Sequence, residues 1–128
     1  MNRQRRSLPG RLAAGLLIPL LAAGGAAAQG AAKTVVDVRI ENRRVVAPQG
    51  AIRVVQGDVV ELRWRTDEPA EIHLHGYDKE LRVRPGKPAS MSVTARATGR
   101  FPITSHGWGA NGHGHGHDVL TYLEVYPR

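Results

Sequence analysis

The chain has 128 residues, no cysteine and a formal net charge of +7. Without cysteine there can be no disulfide, no lipid-modified cysteine anchor and no thiolate-ligated metal centre, so nitrogen and oxygen are the main donors on offer. The charge is uneven: four of the 18 Lys and Arg (Arg3, Arg5, Arg6 and Arg11) lie near the N-terminus, leaving 14 against 11 acids from residue 29 onward. That net of +3 is spread among acids and apolar residues, which argues against a nucleic-acid footprint with its basic stripe and stacking aromatics.

Residues 1–28 read as a secretory signal peptide. The basic start is followed by an apolar run at 12–23, broken by Gly15 and Pro19, and then by Ala26-Ala27-Ala28, whose small side chains suit signal peptidase. The run is shorter than the roughly 20 apolar residues of a spanning helix. The expectation is a periplasmic or secreted protein with no stable membrane insertion after cleavage. Its mature part, residues 29–128, has about the length of one domain with a single core.

From Thr34 onward the apolar residues recur at every second position, as in half-buried strands. Val36, Val38 and Ile40 alternate with Asp37, Arg39 and Glu41. Pro48-Gln49-Gly50 predicts a turn, 52–55 a short strand, and Gln56-Gly57-Asp58 another turn. Val60, Leu62 and Trp64 alternate with Glu61, Arg63 and Arg65 in the cleanest strand, which ends before Pro69. In 70–75, Ile72 and Leu74 share one face and Glu71, His73 and His75 the other. Leu81 and Val83, then Met91, Val93 and Ala95, then Phe101 and Ile103 mark further strands. A glycine-rich loop over 107–116 leads to a closing strand over 119–125. No segment has a helical period. The fold class predicted is an all-β Greek-key sandwich of seven to eight strands.

All six histidines lie between His73 and His117. Imidazole is the commonest transition-metal ligand among side chains, and nitrogen with oxygen favours Cu(II), Zn(II) or Ni(II) over Cu(I). His73 and His75 leave one strand face about 7 Å apart, so they share an ion only if the strand twists or one ring turns back. His113, His115 and His117 alternate with glycines, whose free backbone lets several imidazoles converge on one ion, though such a tract also captures metal adventitiously. His117, nearest the closing strand, is the best placed of the three to be a fixed ligand. Trp108 is expected to pack over the end of the sandwich rather than to shield a metal. Asp118 is either a histidine's hydrogen-bond partner or a cap on the loop. Ser105 and His106 are adjacent, but a Ser–His pair is assembled by tertiary geometry, and no Gly-x-Ser-x-Gly elbow occurs. An enzyme is not expected.

Several segments in order resemble a cupredoxin: Val54-Val55-Gln56-Gly57-Asp58-Val59-Val60, Glu71-Ile72-His73-Leu74-His75-Gly76-Tyr77, Pro85-Gly86-Lys87-Pro88, Gly99-Arg100-Phe101-Pro102-Ile103 and Leu123-Glu124-Val125. Plastocyanin-like proteins and the copper domain of cytochrome oxidase subunit II have a Gly-Asp turn before a strand and a later strand bearing the first copper histidine. A Pro-Gly turn and a Gly-x-aromatic strand then lead into a cysteine-bearing loop. The resemblance implies that His73, or His75 in another register, stands where the first copper histidine stands, and that Ser105 occupies the cysteine position. The family's later histidine has His106, His113, His115 and His117 as candidates, and no methionine occurs in this loop. The stretch is also similar to cysteine-free cupredoxin-like proteins exported by bacteria. The resulting expectation is a metal site built from His73, His75, His106, His113, His115 and His117, for copper(II) or else zinc. It would serve storage, buffering or delivery, with a periplasmic or membrane metal-handling protein as partner and without a blue-copper centre. The alternative is a degenerate, metal-free cupredoxin acting as a protein-interaction or scaffold domain.

Overall fold

A computed structural model of the chain describes residue 31, residues 33–109 and residues 118–128. The signal segment at 1–28 and the histidines His113, His115 and His117 lie outside the described residues. The elements are strands throughout: β1 (Lys33–Glu41), β2 (Arg44–Ala47), β3 (Ile52–Val55), β4 (Val59–Thr66), β5 (Ala70–Leu74), β6 (Lys79–Val83), β7 (Ala89–Thr94), β8 (Gly99–His106) and β9 (Asp118–Tyr126). They form two sheets, one ordered β2-β1-β4-β7 and the other β3-β9-β8-β5-β6. β1 runs parallel to β4 and β3 parallel to β9, while the other pairs are antiparallel. Among the described residues no helix is long and apolar enough to cross a membrane.

The all-β sandwich expected from the alternation is therefore present, with nine strands among the described residues. Period two gives each sheet one hydrocarbon face, and the two faces meet. Val60, Leu62 and Trp64 from β4 are fully buried against Ile72 and Leu74 of β5, Ile103 of β8 and Leu123 of β9, all in one core. Full burial of a side chain of this kind contributes about 1.5–3 kcal/mol relative to leaving it in water.

The strand that sequence periodicity misses is β2. It follows β1 through a two-residue turn at Asn42 and Arg43, both with positive φ (50° and 62°). Such a turn matches the twist of a hairpin but usually has glycine at its second position. Here the tertiary partners hold it. The Asn42 N–H donates to Asp67 Oδ2 at 2.8 Å, and the Arg43 guanidinium is clamped by both carboxylate oxygens of Glu68.

Candidate functional site

β5 is an inner strand of the five-stranded sheet, between β6 and β8. Its core face is Ala70, Ile72 and Leu74, so Glu71 and His73 must stand on the outer face, where both are half-buried. The register sets their neighbours: Glu71 is opposite Arg82 of β6 and His106 of β8, and His73 is opposite Glu80 and Thr104. Two rows of polar side chains thus cross the outer face, Arg82–Glu71–His106 and Glu80–His73–Thr104.

The first row is tied through Glu71. Its Oε2 lies 3.2 Å from Arg82 Nε, and its Oε1 lies 3.7 Å from His106 Nε2. Within the second row, Glu80 Oε1 is 4.0 Å from His73 Nδ1. Glu71, Glu80 and His106 each offer one donor atom, and these atoms all lie within 4.8 Å of one another. Donors around a tetrahedral ion with bonds near 2.0–2.1 Å stand roughly 3.3 Å apart, so the group needs a contraction of at most about an ångström and a half to close on an ion. The Glu80 side chain is 60% exposed, which leaves it room to swing inward.

His75 lies just beyond the end of β5, where its N–H donates to the Pro102 carbonyl at 3.1 Å. Its ring turns back over His73, with centroids 4.1 Å apart, and its Nε2 lies 2.9 Å from Thr104 Oγ1. The 7 Å separation of an ideal strand is removed because the chain leaves the strand between the two histidines. The structure therefore brings His73, His75 and His106 to one region of the outer face, together with Glu71 and Glu80. The place of His113, His115 and His117 is outside the described residues. Glu80 and Arg82 were not singled out by sequence. The usable signal was the Gly76–Asp78 turn, which makes β5 and β6 a hairpin and places 80 opposite 73 and 82 opposite 71.

Ser105 lies on the other face. It pairs with Ile72, is fully buried, and its hydroxyl has no hydrogen-bond partner among the described residues. A thiolate centre of the cupredoxin type would need a thiolate and imidazoles converging on one point. Ser105 has no thiol, and its side chain enters the core while His73 and His106 stand outside, so these residues do not fit that centre. Trp108 is buried in the common core, as the packing reading expected. The adjacent Gly109 N–H donates to Pro69 O at 3.0 Å, and the Arg43 guanidinium carbon sits 5.6 Å from the Trp108 ring centroid. The hydrogen bond from Arg43 to Glu68 raises the Arg43 pKa above its ordinary value, opposed by desolvation and assisted by the charges of Glu68 and Asp118. Asp118, first residue of β9, thus acts electrostatically on this end of the sandwich.

No protein-family model and no curated protein sequence matches the chain. Solved structures do. The chain is similar to a heme-copper terminal oxidase chain, with TM-score 0.57 and 18% identity over 73% of this chain and 65% of that one. It is similar to the periplasmic domain of cytochrome oxidase subunit II from Bradyrhizobium japonicum, with TM-score 0.56 and 11% identity over 73% and 83%. A multi-copper oxidase from Pseudomonas thermotolerans gives TM-score 0.58 and 21% identity over 77% of this chain and 31% of that chain. The chain therefore spans about two thirds of the first of these proteins and under a third of the last. At these identities the likeness establishes the fold, which is cupredoxin-like.

Proposed function

We propose that this chain is an exported metal-binding protein that takes copper(II), or else zinc, on the outer face of its five-stranded sheet. The observation that carries the reading is the convergence of donor atoms from Glu71, Glu80 and His106 within 4.8 Å, with His73 beside Glu80. Imidazole and carboxylate suit borderline divalent ions, and an exposed sheet face allows an ion to enter and leave. Both properties fit storage, buffering or delivery to a periplasmic or membrane metal-handling partner. Export rests on the 1–28 signal pattern and agrees with the periplasmic location of the oxidase subunit II domain that the chain resembles in fold. A binding role is preferred to catalysis because Ser105 and His106 occupy opposite faces of β8 and form no nucleophile–base pair.

The test is calorimetric titration with Cu(II) and Zn(II) of the full chain and of the same chain carrying His113→Ala, His115→Ala and His117→Ala, against a Gly-His peptide as reference. The expected result is one stoichiometric site, tighter than the peptide, that persists in the triple variant. Binding no tighter than the peptide would overturn the proposal. That outcome would favour the scaffold reading, which draws support from the sealed hydrocarbon packing on the Ser105 side of the sheet.

A further inference from the structure

Cations are placed opposite cations at two points of this fold. Arg39 of β1 is in direct cross-strand register with Arg65 of β4. The Pro85-Gly86 turn, with Gly86 at φ 72° and the Lys87 N–H donating to Arg84 O at 3.1 Å, bridges Arg84 to Lys87. Like charges directly opposite one another destabilise a strand pair, so each arrangement costs the isolated protein stability. The two pairs are also neighbours, because Arg65 and Arg84 line one cleft of about 230 Å³ with Thr66, Gly86 and Pro88.

That cleft continues on both sides. Arg65 lines a second cleft of about 280 Å³ with Arg39 and Asp37, and Arg84 lines a third of about 350 Å³ with Lys87 and Arg82. The three form a track around one edge of the sandwich, holding five cations and one carboxylate. Arg39 and Arg82 have ion-pair partners in Glu41 and Glu71. Arg65, Arg84 and Lys87 have none among the described residues.

We propose that this track is a docking surface for an acidic, carboxylate-rich peptide segment of a partner protein. It goes beyond the metal reading and stands without it. A row of separate clefts, each with one or two cations, suits carboxylates spaced along an extended chain, which would relieve both repulsive pairs. Among the described residues no aromatic side chain lines the clefts, which argues against the stacking platform that a single-stranded nucleic acid needs. The track also bends around a sheet edge, whereas an anionic membrane presents a plane.

The test is fluorescence anisotropy of a labelled alternating Glu-Ser peptide with the full chain at physiological ionic strength. A Gln-Ser peptide and phosphatidylglycerol vesicles are the comparison probes. The expected result is saturable binding to the Glu-Ser peptide alone, weakened about tenfold in the Arg65→Ser/Arg84→Ser variant by loss of two charge-assisted contacts. Arg53→Ser removes the same type of charge on β3, the opposite edge of the sheet from β6, and should weaken binding less than about twofold, since exposed charges beyond a Debye length are screened. Equal losses per cation removed in the two variants would reduce the effect to net charge and overturn the proposal. Absence of saturable peptide binding, or binding to vesicles in its place, would overturn it too. The double variant should also melt no lower than the parent, because it removes repulsion, and a lower midpoint would count against the premise.

Discussion

The His75 ring lies over the His73 ring with centroids 4.1 Å apart and planes inclined by 31°, and it is held there by a 2.9 Å contact between its Nε2 and the hydroxyl of Thr104. Thr104 is nearly buried and stands directly opposite His73 across β5 and β8. This hydroxyl therefore helps hold the ring that covers its cross-strand neighbour. Thr104→Val keeps the shape and β-propensity but deletes this partner. The expected cost is about 0.5–1.5 kcal/mol in urea unfolding, the range for a net hydrogen bond. The His75 ring signals should broaden or shift in NMR spectra while signals from strands other than β5 and β8 stay in place.

Glu71 is shared between Arg82 and His106, and this makes it the residue whose loss tells most about metal capture. Glu71→Gln is nearly isosteric and keeps a hydrogen-bond acceptor, but it is a far poorer ligand. In the chain lacking His113, His115 and His117, it should weaken Cu(II) or Zn(II) binding about tenfold or more, the scale at which even supporting groups of a metal site act. Arg82→Ala removes a competitor for the same carboxylate and should tighten binding. Calorimetry on the pair of variants checks both directions.

The strands of the core were legible because their apolar residues alternate without interruption: Val60, Leu62 and Trp64 in β4, and Ile72 and Leu74 in β5. β2 was not. Val45-Val46-Ala47 does not alternate, and a turn with Arg43 at positive φ is stable only because of Glu68 and Asp67, more than twenty residues away. The same distinction divides the candidate site. That His73 shares a face with Glu71 follows from period two along one strand. The presence of Glu80 beside it depends on hairpin register, and the separation of Ser105 from His106 depends on which face of β8 meets the core. The position of Ser105 along the strand could be counted, but its facing is a property of the assembled sandwich.

Gly76 is the turn residue least able to accept a side chain. Its φ is +78°, and a Cβ there would lie 2.6 Å from Phe101 Cδ1 and 3.0 Å from Cε1. Phe101 is in turn packed edge-on to Tyr77, ring centroids 4.9 Å apart, and Tyr77 donates its hydroxyl to the Ala97 carbonyl. Gly76→Ala should destabilise by about 2–4 kcal/mol, combining the left-handed backbone cost with an overpacking cost. Gly86 has a similar φ of +72° but open space where its Cβ would go, so Gly86→Ala should cost only about 1–2 kcal/mol. Chemical denaturation of the two variants separates conformational strain from collision.

Acid should weaken the fold through carboxylates at two sites. The Tyr126 hydroxyl, followed by Arg53, holds the Glu124 pKa below its ordinary 4.5, with the charges of Arg53 and Arg100 adding to the effect against desolvation. Arg63 does the same for Glu61, assisted by Lys33. A carboxyl with a lowered folded pKa binds fewer protons in the native state than in the unfolded one. Its contribution is therefore present above the unfolded pKa and is lost as pH falls through the folded pKa. Urea midpoints should hold steady at neutral pH and decline below about pH 4.5, with a shallower decline in Glu124→Gln. Both carboxylates are at the surface, so added salt should flatten the decline further. A midpoint that stays constant down through the acid range would contradict this account.

Ser105→Cys places a thiol at the position that resemblance to cupredoxins assigns to the copper-binding cysteine. Its backbone pairs with Ile72 and Asp118, so the new sulfur would enter the apolar core, on the face opposite to His73 and His106. Serine and cysteine differ little in size, and a thiol tolerates the absence of a hydrogen-bond partner better than the orphaned Ser105 hydroxyl does. The variant should therefore be at least as stable as the parent, by up to about 1–3 kcal/mol, the cost of leaving a buried polar group unpaired. With Cu(II) added it should remain free of an intense visible thiolate–copper band, and its thiol should resist alkylation until the protein unfolds. A strong band would require Ser105 and the imidazoles to meet on one side of the sheet, contradicting the facing of β8 and moving the proposed metal site from the outer face to the end of the sandwich.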